Sequence, residues 1–210
     1  MIKSRRHFLK VSLATSSATI VSTVTLPLIA RAAQAEHFPE TEAEGVLAQV
    51  VTSDHPFGPD RALTLLNVHT GERYEGPFWS RGRFVRAGMQ KISHLLRDFR
   101  LGESMPMDPL VVDFMHNVYS QVDTDEPIQI LSGYRSPETN ARLARKSSDV
   151  APKSLHMTGQ AIDFRIPGTP ARKLRNLAIA TQRGGVGYYG ESDFIHIDTG
   201  PVRAWNRPGS

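Results

Sequence analysis

From residue 61 onward, apolar positions recur with two different periods. In "RALTLLNVHTGERYEGPFW", two apolar-rich runs flank His69-Thr70-Gly71-Glu72, which predicts a β-hairpin with a glycine turn. "FVRAGMQKISHLLRDFR" places Val85, Met89, Ile92, Leu95, Leu96 and Phe99 at helical spacing. "DPLVVDFMHNVYSQV" predicts a second helix, with Asp108 as its cap and Pro109 in its first turn. Ile128–Leu131 reads as a short buried strand ending at Gly133, and Ser136-Pro137 opens a helix to about Lys146. "SLHMTGQAIDFRI" reads as a turn at Thr158-Gly159 and then a strand. Thr169-Pro170 opens a helix with Leu174, Leu177 and Ala178 on one face, and Gly184-Gly185 is expected to end it. "VGYYG" and "DFIHID" are two more short strands. The fold class is therefore α+β, with helices packed against a small, mostly antiparallel sheet.

The first 35 residues have another character. Basic residues stand in front, an apolar stretch rich in serine and threonine follows, and small residues close it, which is the layout of an export signal. Ser4-Arg5-Arg6-His7-Phe8-Leu9-Lys10 resembles the twin-arginine consensus, which implies the twin-arginine translocase as a partner. Ala33-Gln34-Ala35 offers a cleavage site, so the mature chain is expected to begin at Glu36 and to reside in the periplasm. An uncleaved membrane anchor is the alternative. Its weakness is the eight Ser or Thr residues between Val11 and Leu26. Residues 36–60 lack a clear period and read as an irregular lead-in, which leaves 61–210 as one domain.

Removing the signal changes the charge picture. The full sequence has 25 basic and 21 acidic residues. Lys3, Arg5, Arg6, Lys10 and Arg31 lie in the signal, so the remainder has 20 against 21 and a net charge of −1. A nucleic-acid partner, which calls for a basic face, has no support. There are no cysteines, so any transition metal must be held by nitrogen and oxygen.

His156, Asp163 and His196 are the candidates for that role. If the chain reverses at Thr158-Gly159, His156 pairs roughly with Ala161, and Asp163 lies two positions further on the same face. Alternation then sends Ile162, Phe164 and Ile166 to the core and Asp163 away from it. In "DFIHID" the same rule sets His196 and Asp198 opposite Ile195 and Ile197. Two imidazoles and one carboxylate suit a hydrolytic zinc site, which keeps its fourth position for water. From spacing alone, metal ligands and solvated polar side chains both remain open.

Motifs favour the first reading. Ser154–Asp163 resembles the S-x-H-x-x-G-x-A-x-D signature of zinc peptidases of the D-Ala-D-Ala peptidase/VanX type. "SGYRSPETN", "GGVGYYGESDFIHIDTGPVRAW" and "NVHTGE" narrow the resemblance to the YcbK-like branch of murein endopeptidases, over residues 61–205. The resemblance implies a hedgehog/D-Ala-D-Ala peptidase-like fold and one zinc ion per chain on His156, Asp163 and His196. It also implies Arg135 as the residue that steadies an oxyanion or binds substrate, and peptidoglycan peptide stems as the partner.

The general base is shared between two candidates. Asp193 stands where many relatives carry a glutamate, and Asp198 follows the last ligand by two. Ser154 and Tyr188 are candidate substrate contacts, Trp205 is expected to close the core, and a monomer is expected. The expected activity is hydrolysis of peptide cross-links in peptidoglycan. A D-Ala-D-Ala carboxypeptidase or dipeptidase, a non-catalytic zinc-containing murein-binding module and a hedgehog-like interaction domain are the alternatives.

Overall fold

The computed structural model describes residues 59–147 and 150–207. The export signal and nearly all of the lead-in lie outside the described residues. In chain order the elements are β1 (Arg61–Asn67), β2 (Arg73–Ser80), β3 (Arg83–Phe84), α1 (Arg86–Leu95), α2 (Pro109–Tyr119), β4 (Ile128–Ser132) and α3 (Pro137–Ala144). A 3-10 turn (Leu155–Thr158) precedes β5 (Ala161–Arg165), α4 (Ala171–Ala180), β6 (Gly185–Tyr189), β7 (Phe194–Asp198) and β8 (Arg203–Arg207).

Among the described residues the strands form one sheet of eight, in the order β3-β2-β1-β4-β5-β7-β6-β8. The α+β class holds, but the sheet is larger than expected, and it is mixed. β1 and β4 are parallel, as are β6 and β8, while the other neighbours are antiparallel. The connection from β1 to β4 passes through two helices, and such a crossover lets a strand return in the same direction. β3 and β8 carry no apolar alternation, so periodicity could not announce them: β3 has two residues, and β8 is Arg-Ala-Trp-Asn-Arg on an edge.

Local chemistry sets most boundaries. Asp108 accepts the Leu110 N–H and starts α2, and Ser136 accepts the Thr139 N–H and starts α3, each with proline in the first turn. α1 stops at Leu95, short of Phe99, whose ring instead stacks on His69 at 4.2 Å. α4 ends at Ala180, before the Gly184-Gly185 pair expected to stop it. Gln182 takes the positive-φ position, and Gly185 already belongs to β6. The two glycines serve tight packing against β7, described below.

The core lies between one face of the sheet and the helices. Leu63, Leu65, Ile128, Ile130, Ile162, Phe164, Ile195 and Ile197 alternate onto that face. They pack with Ile92, Val111, Phe114, Met115 and Leu174 from the helices. Each such side chain contributes about 1.5–3 kcal/mol by leaving water. Alternation then commits the intervening residues of β5, β6 and β7 to the other face, where the polar ones gather.

Candidate metal centre

β5 and β7 are antiparallel neighbours, and Asp163 stands directly opposite His196. Their side chains leave the same face and meet: His196 Nδ1 lies 2.8 Å from Asp163 Oδ1. His156 arrives by a route the sequence did not suggest. Instead of a hairpin arm paired with Ala161, it sits in the 3-10 turn, and Ala161 pairs with Asp198. Ser154 accepts the His156 N–H and caps that turn, and Gly159, at φ 69°, ends it in the left-handed region. A methyl group on Gly159 would also fall 2.7 Å from the Pro106 carbonyl oxygen.

His156 Nε2 lies 3.2 Å from His196 Nδ1 and 3.3 Å from Asp163 Oδ1. Tetrahedral zinc with bonds of about 2.0–2.1 Å requires donors roughly 3.3–3.4 Å apart. The three donor atoms thus fit one ion with little movement. Among the described residues they form the one group of three or more His, Asp or Glu side chains able to do so.

The atoms behind the donors fix which nitrogen points inward. His156 Nδ1 is 2.6 Å from the Gly133 carbonyl oxygen, so its N–H donates there and Nε2 keeps its lone pair for the site. His196 Nε2 is 3.0 Å from Asp198 Oδ2, so its N–H donates outward and Nδ1 faces the site. Arg135 donates from Nη2 to Asp163 Oδ2, leaving Oδ1 for an ion, while its Nε donates to Ser132 at 2.7 Å. In metalloproteins, hydrogen bonds of this kind orient the ligands.

Burial and charge act together on these groups. Burial pushes His156 down to about 4, so it stays a neutral donor. Burial opposes ionisation of Asp163, but the facing imidazoles and Arg135 outweigh it and hold the carboxyl well below its usual range. Burial lowers His196 as well, yet its bonds to Asp163 and Asp198 win and raise it. Without a metal, His196 therefore favours a proton between two carboxylates.

The two aspartates expected to compete as base are placed very differently. Asp198 is fully buried. Its Oδ1 accepts from Gly200 N at 2.8 Å, Gly185 N at 3.2 Å and Arg203 Nη1 at 3.0 Å, and its Oδ2 accepts from Arg203 Nη2 at 2.7 Å besides His196. Burial works against its charge, but His196 and Arg203 hold the carboxyl far below the usual range. Asp193 accepts the Ala171 N–H at 3.1 Å, at the start of α4, and does not line the cavity before the trio. Gly184 and Gly185 make room for Asp198: a methyl group on Gly184 would fall 1.9 Å from its carbonyl oxygen, and one on Gly185 2.5 Å from its Oδ2.

A cavity of about 560 Å³ opens in front of the trio. Ser154 lines it, although its hydroxyl is occupied with the turn. Tyr188 does not: it shares the core face with Val186, its ring under the Arg175 guanidinium at 5.9 Å, and its neighbour Tyr189 lines the cavity instead. Trp205, expected to close the core, stands in the cavity wall with its ring 5.3 Å from that of His196. Arg203 was missed, although a fully buried aspartate five positions upstream calls for a cation. A separate cavity of about 480 Å³ lies at Glu72, Tyr74, Lys91 and His94 and shares no residue with the trio.

The sequence profile of the family described as peptidoglycan L,D-endopeptidase MepK matches residues 57–205. The chain is 41% identical over 145 residues to the peptidoglycan L,D-endopeptidase MepK of Escherichia coli (strain K12), covering 69% of this chain and 80% of that protein. It is 43% identical over 146 residues to the probable peptidoglycan L,D-endopeptidase MepK of Haemophilus influenzae, covering 69% and 78%.

Proposed function

The chain belongs to the peptidoglycan L,D-endopeptidase MepK family, and we propose that it hydrolyses peptide cross-links between peptidoglycan stems at a zinc site made by His156, Asp163 and His196. As a member of that family it is a peptidoglycan-hydrolysing peptidase. The observation that carries the zinc assignment is the convergence of three buried donor atoms whose opposite sides are already engaged. A zinc ion there would act as a Lewis acid on the scissile carbonyl.

The protein's own residues prepare that chemistry. The Gly133 carbonyl and Asp198 each take the outward N–H of one histidine, so both rings present a lone pair without reorganisation. Arg135 clamps Asp163 and lines the cavity, so its guanidinium lies beside the position where charge develops on a carbonyl oxygen. Asp198 acts as the positioning partner of His196, which its five polar contacts support better than a role as a mobile proton acceptor. Asp193 serves α4 as a cap.

The wider assignment follows from the sequence. The fold is of the hedgehog/D-Ala-D-Ala peptidase type. The protein acts as a monomer, and it works in the periplasm after twin-arginine export and cleavage near Ala35. Among the described residues no helix is long and apolar enough to cross a membrane.

Incubation of the full chain with purified peptidoglycan, followed by separation of the muropeptides, tests the activity. Cross-linked dimers should disappear with zinc and persist with a chelator or with His196→Ala. Unchanged dimers under all conditions would refute the assignment. Release of terminal D-alanine alone would point to the carboxypeptidase.

A further inference from the structure

Asp163 and His196 are fixed by the pairing of β5 with β7. His156 and Arg135 depend instead on residues 133–136, which lie between β4 and α3 and belong to neither. The Gly133 carbonyl takes the His156 Nδ1–H at 2.6 Å, and the Arg135 N–H donates to the His156 carbonyl at 3.1 Å. From the same segment the Arg135 guanidinium clamps Asp163 Oδ2. Whatever holds these four residues therefore sets the aim of one ligand ring and one guanidinium.

The remaining N–H groups of the segment go to a different partner, the chain just after α1. Tyr134 donates to the Leu96 carbonyl at 2.7 Å, and Ser136 donates to Asp98 Oδ2 at 3.0 Å. The Asp98 carboxylate thus takes the place of the next backbone acceptor in line. It also accepts the Ser136 hydroxyl at 2.8 Å, the hydroxyl that starts α3. A methyl group on Gly133 would fall 2.4 Å from the Leu96 carbonyl oxygen, so the two segments lie in close contact. Asp98 is only 1% exposed, and a carboxylate so buried is tolerated only where donors surround it. Its Oδ1 accepts the Arg100 N–H at 3.1 Å. Its backbone closes a turn, bonded to the Glu103 carbonyl and to the Gly102 N–H at 2.8 Å each. Burial opposes its ionisation, but the hydroxyl and N–H donors around it outweigh burial and lower the carboxyl. Asp98 is therefore a fixed anion on a closed turn, and it does not line the cavity.

We propose that Asp98 is a positioning residue of the metal centre: by holding Ser136 it fixes residues 133–136, and through them the inward aim of His156 Nε2 and the grip of Arg135 on Asp163. The proposal rests on the zinc reading of the trio and adds to it the support that stands behind two of its groups.

Zinc titration of the full chain against a chromophoric chelator tests it. Asp98→Ala removes the acceptor of the Ser136 N–H and should weaken zinc about tenfold, the lower end of what losing a hydrogen bond behind a ligand costs. Asp98→Asn can still turn its amide oxygen to Ser136 and should restore binding close to the wild-type value. Should the alanine variant not fold, Asp98→Ser serves in its place: its hydroxyl can accept the Arg100 N–H but is one bond shorter toward Ser136, and the same loss is expected. Asp113→Asn, which frees Arg61 and Arg183, is the control for lost stability. It should lower the denaturant midpoint and leave zinc affinity unchanged. Wild-type affinity in Asp98→Ala or Asp98→Ser overturns the proposal while the zinc reading stands. An asparagine variant as weak as alanine also overturns it, since the effect would then follow the lost charge and not the hold on Ser136. So does an equal loss of affinity in Asp113→Asn. If the wild-type protein binds no zinc, the zinc reading itself fails and the proposal with it.

Discussion

Asp198→Asn separates a positioning role for this aspartate from a proton-transfer role. The side chain is fully buried and accepts five hydrogen bonds, three on Oδ1 and two on Oδ2. Asparagine keeps the shape but sets an NH₂ group where one oxygen stood. At the Oδ2 position that group faces two donors, His196 Nε2–H and Arg203 Nη2. The ring can relieve the clash only by moving its proton to Nδ1, the atom 2.8 Å from Asp163 Oδ1 and 3.2 Å from His156 Nε2. To free Nδ1 for zinc, the neutral ring would have to carry its proton on Nε2, against the amide NH₂, whereas in the wild type Asp198 accepts it there. Loss of an outer-shell partner of this kind typically costs about 10–100-fold in metal affinity, or about 1.4–2.7 kcal/mol. Titration against a chromophoric chelator reads this directly, with no need for turnover. Wild-type zinc affinity in Asp198→Asn would refute the reasoning. If activity were lost while affinity held, Asp198 would be assigned to proton transfer instead.

Zinc affinity and the contribution of His196 to metal-free stability should respond to pH in opposite senses. His196 is raised above its ordinary 6.5 in the folded, metal-free chain. Its contribution to stability is thus fully present below about 6.5 and lost as pH rises through the raised value. Because His156 and His116 are lowered and act in the opposite sense, the His196 contribution is read as a difference: chelator-treated wild-type protein is expected to exceed His196→Gln in melting temperature by more at about pH 6 than at about pH 9, whereas zinc should bind the wild type more weakly at the lower pH because it competes with that proton. A zinc affinity that does not change across this range would refute the account. Gly184→Ala should destabilise the protein by about 1–3 kcal/mol, since its methyl group would collide with the Asp198 backbone oxygen at 1.9 Å. Denaturant unfolding at wild-type stability would show that β6 and β7 can part there at no cost.

Much of this protein was legible in one dimension. The hairpin, the starts of α2 and α3, and strands β4 to β7 follow from alternation, caps and prolines, because these act between near neighbours. Two members of the candidate trio were placed by the same rule: alternation sets Asp163 and His196 opposite the core residues beside them. What the chain did not disclose was how distant pieces meet. β8 carries no apolar alternation to announce it, yet it joins β6 in parallel and delivers Arg203 to Asp198 and Trp205 to the cavity wall. His156 reached the site from a capped 3-10 turn, and Tyr189 rather than Tyr188 faced the cleft. Local hydrogen bonds and residue periods are written in sequence, since their partners are a few positions away. Register between remote strands, and the buried charges that must find one another across it, are decided only when the whole sheet closes.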